Sequence, residues 1–460
     1  MNMHVAKLLS RSRAHRLAVV LVLLNPAGCD WGLDQGSSGA EPAASVQAAH
    51  GTRNPVMHWS SVASELMVAG PIIDSRAYAI LHAAIHDAVN GVERRYEAYT
   101  AKLSSPGASL DAAVGTAARD VLVALSPSTR EQTEAAYTSA LAAIADGPAK
   151  TKGVDLGREA ARVNLARRAA DSVPAGSWPP MSGPITQPVY VPNGAPGDYA
   201  FTPPFDKPPL GPIALFPGWG RLEPFAVDLS RYRLRGPDAL ESREYARDLD
   251  HLKSVGSLNS LTRTSDQTEM AKFWFEDFPV LVQIANRVLE QKRVDVWDAA
   301  CTLALVHLAM ADAGIACFEA KYRFRFWRPF TAIRRASMDN NPRTAPDTTW
   351  LPLLWTPPEV FPPTFLIPPI PEYPSAAATT ASAAAEVLAR LLGDRQRFEA
   401  TSSFLPGVTR RFSSFTQAAE EAGLSRIYGG IHFERAVTDG ARLGRSVGRD
   451  VSRLLPPVRR

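Results

Sequence analysis

A chain of 460 residues that is 45% hydrophobic and 21% charged is long enough for one large or two medium cores, and too apolar to remain unfolded. Its formal net charge of +4 is spread along the sequence and forms no basic stripe, which argues against a nucleic-acid binder.

Lys7, Arg11, Arg13 and Arg16 precede a short apolar run at 17–24, the pattern of an export signal. That run is too short to cross a bilayer in the ordinary way. Pro26-Ala27-Gly28-Cys29 follows and resembles the lipobox of bacterial lipoproteins, with Cys29 as the lipidated residue; a plain secretory cleavage is the alternative. Residues 1–29 therefore read as signal and 30–54, small and polar, as a flexible tether. The expected location is the periplasm or cell envelope, with membrane contact only through a lipid anchor at Cys29. No later segment reads as a transmembrane helix.

Helical periodicity begins near Ser60, with Ala77, Ile80, Leu81, Ala84, Ile85 and Ala88 on one face. Further helices are expected at 110–125, 129–146 and 153–172, separated by Pro127 and Gly147-Pro148. The stretch 174–224 holds 14 of the 38 prolines and reads as an ordered but irregular surface belt. Helices resume at 238–256, 266–290 and 294–321. A second proline-dense segment covers 342–374, and helices at 375–393, 414–426 and 431–454 close the chain. No convincing alternating strand or short repeat is seen. The expectation is an all-α fold of two packed, four-helix-bundle-like halves, with an N-terminal bundle at 55–175, a proline-rich belt at 176–240 and a C-terminal domain at 241–460. Cys301 and Cys317, on one predicted helix, would lie ~24 Å apart, too far for a disulfide, and read as buried fillers.

Three strings carry the chemistry: KYRFRFWRP at 321–329, EYPSAAA at 372–378 and SRIYGGIHF at 425–433. They supply the cations Lys321, Arg328 and Arg426, the hydroxyl of Ser375 and the imidazole of His432. Forked guanidinium donors suit a tetrahedral oxyanion. Pro329 biases Arg328 away from helical geometry, so Lys321 and Arg328 are expected at a helix end and the loop after it. Phe324, Phe326, Trp327 and Phe330 would wall the charges in a low dielectric. Ser375 reads as the N-cap of the alanine-rich helix, whose first amide, that of Ala376, would point at an anion. Arg426 and His432 would be ~120° out of phase on one helix, but Gly429-Gly430 should break it and let both face one pocket. His432 could then act as nucleophile or metal ligand.

In order and spacing these strings resemble the vanadium-dependent haloperoxidases, which share their anion pocket with type 2 phosphatidic acid phosphatases. The superfamily pattern is K-x6-RP, PSGH and SR-x5-H, matched here by Lys321, Arg328 and Pro329, by Pro374 and Ser375, and by Ser425, Arg426 and His432. Residues 74–96 and 307–334 also resemble bacterial members, so the likeness covers roughly 55–455. It implies vanadate bound through His432 as metal ligand, its oxygens held by Lys321, Arg328, Ser375, the Ala376 amide and Arg426. Phosphate could occupy the same pocket. Lys321 and His432 would be the catalytic pair, with Lys321 polarising peroxide for attack by halide on the way to a small-molecule substrate. In a phosphatase of this superfamily His432 would instead attack phosphorus. A homo-oligomer is compatible with either.

The second motif departs from the family: Ala376-Ala377 stand where Gly-His is expected. The first change keeps the N–H. The second removes a proton-managing group, a type of contribution worth about 10²–10⁴-fold, so weakened turnover is expected. Glu372 and Thr379 are candidate substitutes if the fold turns them inward. Ile370 replaces the Phe of some chloride-oxidising relatives. A non-catalytic, oxyanion-binding envelope protein is the third reading. Elsewhere, His82 and His86 sit at zinc spacing beside Asp87 but read as structural. Asp312 and Glu319 read as pairing groups, and His307 as a satisfied core histidine.

Overall fold

The structure, a computed structural model, describes residues 54–67, 70–171, 190–208, 211–357 and 365–458. The expected signal, the Cys29 anchor, the tether up to residue 53 and the belt prolines up to Pro188 lie outside them. The described residues hold thirteen α-helices and one two-stranded antiparallel hairpin. Apolar periodicity, not backbone preference alone, places most of them, and a side-chain cap or a first-turn proline marks most of their starts.

The N-terminal helices are α1 (Pro55–Leu66), α2 (Pro71–Val92), α3 (Leu110–Leu125), α4 (Arg130–Ala142) and α5 (Pro148–Arg167). Asn54 and Ser109 cap α1 and α3 by accepting from first-turn amides, and proline at the first turn starts α1, α2 and α5. After the belt come α6 (Arg243–Val255), α7 (Ser265–Phe273), α8 (Asp277–Gln291), α9 (Val296–Phe324) and the short α10 (Pro329–Arg334). The chain ends in α11 (Ala376–Leu392), β1 (Phe398–Thr401), β2 (Thr409–Phe412), α12 (Phe415–Tyr428) and α13 (Glu434–Val451).

Three expectations need correction. The helix expected at 266–290 is two, α7 and α8, because the chain turns at 274–276 to bring the Trp274 and Phe275 carbonyls to Arg426. The hairpin was not anticipated; its strands have four residues each, too few for alternation to stand out. And α9 is, by length and composition, apolar enough to cross a membrane, although its whole apolar window is buried inside the protein. It is hydrophobic on all sides because it is the axis of the core, packed on α2, α11 and α13.

The belt is tied to that axis. Asp312 on α9 accepts from the amides of Phe225, Ala226 and Val227 at 2.6–3.0 Å, which makes it the pairing group expected. Gly220 lies against the α9 backbone so closely that a Cβ would meet Glu319 Cα at 2.4 Å.

The small residues of α11 have an equally direct purpose. Gly440, Gly444 and Gly448 on α13 face it, and a Cβ at Gly444 would lie 2.0 Å from the Thr379 carbonyl oxygen. The two backbones are in contact, and Ser375 N–H donates to the Ala436 carbonyl at 3.0 Å. Gly444→Ala should therefore cost about 1–3 kcal/mol of stability by overpacking, read as a lower urea midpoint; an unchanged midpoint would mean the helices separate freely. This contact sets the start of α11 beside that of α13.

Candidate functional site: a buried oxyanion pocket

Four helix ends meet at one place: the C-terminus of α9, the N-terminus of α11, the C-terminus of α12 and the N-terminus of α13. Lys321 lies in the last turn of α9, which stops at Arg325 in a left-handed cap, φ 53°. Arg328 is extended, φ −73° and ψ 154°, as its following proline requires. Ser375 is the N-cap of α11 and accepts from Ala378 N–H. Helix α12 ends at Tyr428, and Gly430, at φ +75° and packed against the Gly256 carbonyl, makes the turn that brings His432 back.

The structure brings Lys321, Arg328 and His432 together, all buried. Lys321 Nζ donates to the carbonyls of Pro371 and Glu372, both at 2.9 Å, and keeps a third N–H. Arg328 donates through Nε to Ile370 O at 2.7 Å and through Nη1 to Ile431 O at 3.0 Å, with His432 Nε2 3.2 Å from the same Nη1. Arg426, also buried, donates to the Trp274 and Phe275 carbonyls, with Asp277 Oδ2 3.8 Å away. Ser375 is buried; Ala376 and Ala377 at the helix start are partly open. Tyr245, Phe326, Trp327, Tyr373 and Phe433 form the apolar cluster behind them.

Two carboxylates lie beside these cations, Asp277, which carries no motif signal, and Glu372, a candidate if turned inward. Asp277 balances Arg426 across 149 residues of sequence, with only its place at a helix start as a signal. Glu372 does turn inward: its Oε1 lies 2.9 Å from His432 Nδ1 and accepts from Phe433 N–H at 3.0 Å. It sits on the edge of the ring away from Nε2, so it does not replace the missing histidine on the anion side. Thr379 does not either, since its hydroxyl donates to the Ser375 carbonyl at 2.7 Å.

Burial dominates the ionisation. It pulls Lys321 down to about 8, with neighbouring Arg328 lowering it further and Glu372 opposing. It pushes Glu372 up to about 8 against the pull of Lys321 and Arg328. His432 is held well below its ordinary value by burial, then by Arg328, Lys321 and Arg426, and is a neutral imidazole. Below that range Lys321 is a cation and Glu372 uncharged, and both states favour an anion. As pH rises through about 8, the cation is lost and a carboxylate appears. Affinity for sulfate, whose charge is constant here, should thus fall by up to about tenfold per pH unit for each group. Calorimetry across the interval checks this; affinity flat or rising with pH would exclude it.

Whether a vanadate-like group fits is testable on the polar atoms. Arg328 Nη2 and Arg426 Nε are buried donors without a hydrogen-bond partner among the described residues. Leaving such groups unmade costs about 1–3 kcal/mol each, more for charged ones. A group rich in acceptor oxygens held beside His432 would satisfy Arg328 Nη2, on the guanidinium that already reaches His432 Nε2, so these residues fit it.

The other singled-out residues lie elsewhere. His86 Nε2 is 2.9 Å from the Glu97 carbonyl and from Asn90 Nδ2, and Asp87 accepts from Tyr99 and Thr100 N–H; both are structural. No group of three metal-ligating side chains occurs among the described residues. His307 departs from expectation: it is buried and stacked on His82 at 4.6 Å and 13°, and no ring nitrogen of either has a hydrogen-bond partner among the described residues. Near-parallel rings cannot both point a lone pair at one ion. Cys301 and Cys317 are buried and free, and Glu319 pairs with Arg323.

Against known proteins, residues 301–457 match the family described as the VCPO second helical-bundle domain. A bacterial vanadium-dependent iodoperoxidase of known structure superposes with TM-score 0.72 at 23% identity, over 88% of this chain and 97% of that one. A holo-type bacterial vanadium-dependent chloroperoxidase gives 0.67 at 17%, over 89% and 98%. The class is thus an all-α, helical-bundle fold of the vanadium haloperoxidase type. Vanadium chloroperoxidase of Curvularia inaequalis is 27% identical over 418 residues, covering 74% of this chain and 66% of that protein, just under two thirds of its length. Residues 301–457 thus match that helical-bundle domain, and the chain as a whole shares the fold of the vanadium haloperoxidases.

Proposed function

We propose that this chain is a vanadium-dependent haloperoxidase-like enzyme, in which vanadate binds at Lys321, Arg328, Ser375, the Ala376 amide, Arg426 and His432 and peroxide oxidises halide, at a rate lowered by Ala377. One observation carries this: a neutral imidazole nitrogen, His432 Nε2, lies 3.2 Å from a buried guanidinium with an unpaired Nη2. Vanadate, when bound, supplies the Lewis acidity that activates peroxide. The chain's own part is electrostatic. Arg328 and Arg426 would offer donors to the oxygens of vanadate, and Ser375 keeps its hydroxyl proton to donate. Lys321 holds a proton beside the reacting oxygens, and the apolar wall keeps bulk water from screening these charges. At Ala377 no side chain can give or take a proton. Export through residues 1–29, with Cys29 as anchor, belongs to the same proposal and would place the reaction in the cell envelope.

Purified protein should oxidise bromide with peroxide only after vanadate is added, and should bind vanadate by calorimetry. Hydrolysis of p-nitrophenyl phosphate without halide oxidation would favour a phosphatase, and binding without turnover a non-catalytic role. Absence of vanadate binding would overturn the reading.

A further inference from the structure

We propose that Glu372 is the positioning residue of His432, fixing its imidazole as the Nδ1–H tautomer so that the Nε2 lone pair is presented to the oxyanion site. The affinity arm of this proposal rests on the function above; the tautomer arm does not.

Two contacts on opposite edges of the ring define the tautomer. A guanidinium can only donate, so Arg328 Nη1 at 3.2 Å requires a lone pair on Nε2. A neutral ring then carries its proton on Nδ1, where Glu372 Oε1 waits at 2.9 Å. That oxygen already accepts the Phe433 amide at 3.0 Å, which marks it as the acceptor oxygen of the carboxyl group. The assignment thus follows from donor and acceptor geometry alone.

Glu372 is also held rigidly enough to aim a ring. Its amide donates to Phe326 O at 2.9 Å and its carbonyl receives Lys321 Nζ at 2.9 Å. On either side, the Tyr373 hydroxyl donates to Asp439 Oδ2 at 2.6 Å and the Ser375 amide to Ala436 O at 3.0 Å. One residue therefore braces the lysine with its backbone and the histidine with its side chain. The opposite tautomer would put an N–H where a central vanadium or phosphorus atom needs a lone pair. Carboxylate partners orient metal-bound imidazoles in this way, and losing one costs about 10–100-fold in affinity.

The test uses the full chain labelled with ¹⁵N-histidine, the His432 signals being assigned by their loss in His432→Gln. Long-range ¹H–¹⁵N spectra should show the Nδ1–H tautomer in wild type and in Glu372→Gln, whose amide oxygen is kept toward Nδ1 by the Phe433 N–H. Glu372→Leu leaves only the longer, 3.2 Å Arg328 contact to hold the ring and strands Nδ1–H without an acceptor, so it should give mixed tautomers and bind vanadate about 10–100-fold more weakly by calorimetry. An Nε2–H tautomer in wild type or Glu372→Gln overturns the proposal, and those two proteins decide it should the leucine variant not fold. So does a folded Glu372→Leu that keeps both tautomer and affinity. A wild type that binds no vanadate but loses its tautomer in Glu372→Leu would sink the haloperoxidase reading and leave this one standing.

Discussion

Ala377→His should raise peroxide-dependent bromide oxidation by about 10²–10⁴-fold, the range of one well-placed acid–base group, while vanadate affinity changes little. The side chain at 377 leaves from the first turn of α11, two residues after its Ser375 cap, at a partly open position. Neither candidate substitute serves that side of the site. Glu372 is committed to the Nδ1 edge of His432 and Thr379 to its own helix backbone. The helix N-terminus would favour a neutral imidazole, so the new histidine would titrate near or below its ordinary value and could both accept and give a proton. The measurement is initial rate against bromide, with p-nitrophenyl phosphate hydrolysis in parallel. If neither rate rises, the pocket has diverged by more than one side chain.

Arg328→Ala should weaken vanadate binding by about 10²-fold or more. Truncating one partner of a buried, hydrogen-bonded charge contact costs about 2–5 kcal/mol. Arg328 loses more than charge in this change. The carbonyls of Ile370 and Ile431 and the Nε2 of His432 would each lose a donor, at about 1–3 kcal/mol where they stay dry. The variant should therefore also melt earlier. Arg328→Lys separates the effects: it keeps a cation but not the fork, so it should recover part of the stability and little of the affinity. Calorimetry with vanadate and thermal unfolding together read the two. Wild-type affinity in Arg328→Ala would remove Arg328 from the anion site.

Much of this protein is legible from local sequence. Periodicity and caps locate most helices, including α3 and α11 to within a residue, because helical hydrogen bonds and first-turn caps join residues close in sequence. The extended backbone of Arg328, the Ser375 cap and the break at Gly429-Gly430 follow equally from Pro329, from serine and from glycine. What the tertiary structure alone decided are contacts between distant segments. Glu372 meets His432 across 60 residues, and Arg426 reaches the Trp274 carbonyl across 152. His82 stacks on His307 although each looks like an ordinary core histidine. Such pairings leave no periodic trace, because which polar groups share a dry pocket depends on how whole helices pack. Here the backbone contact of α11 with α13 makes that choice by setting two helix starts side by side.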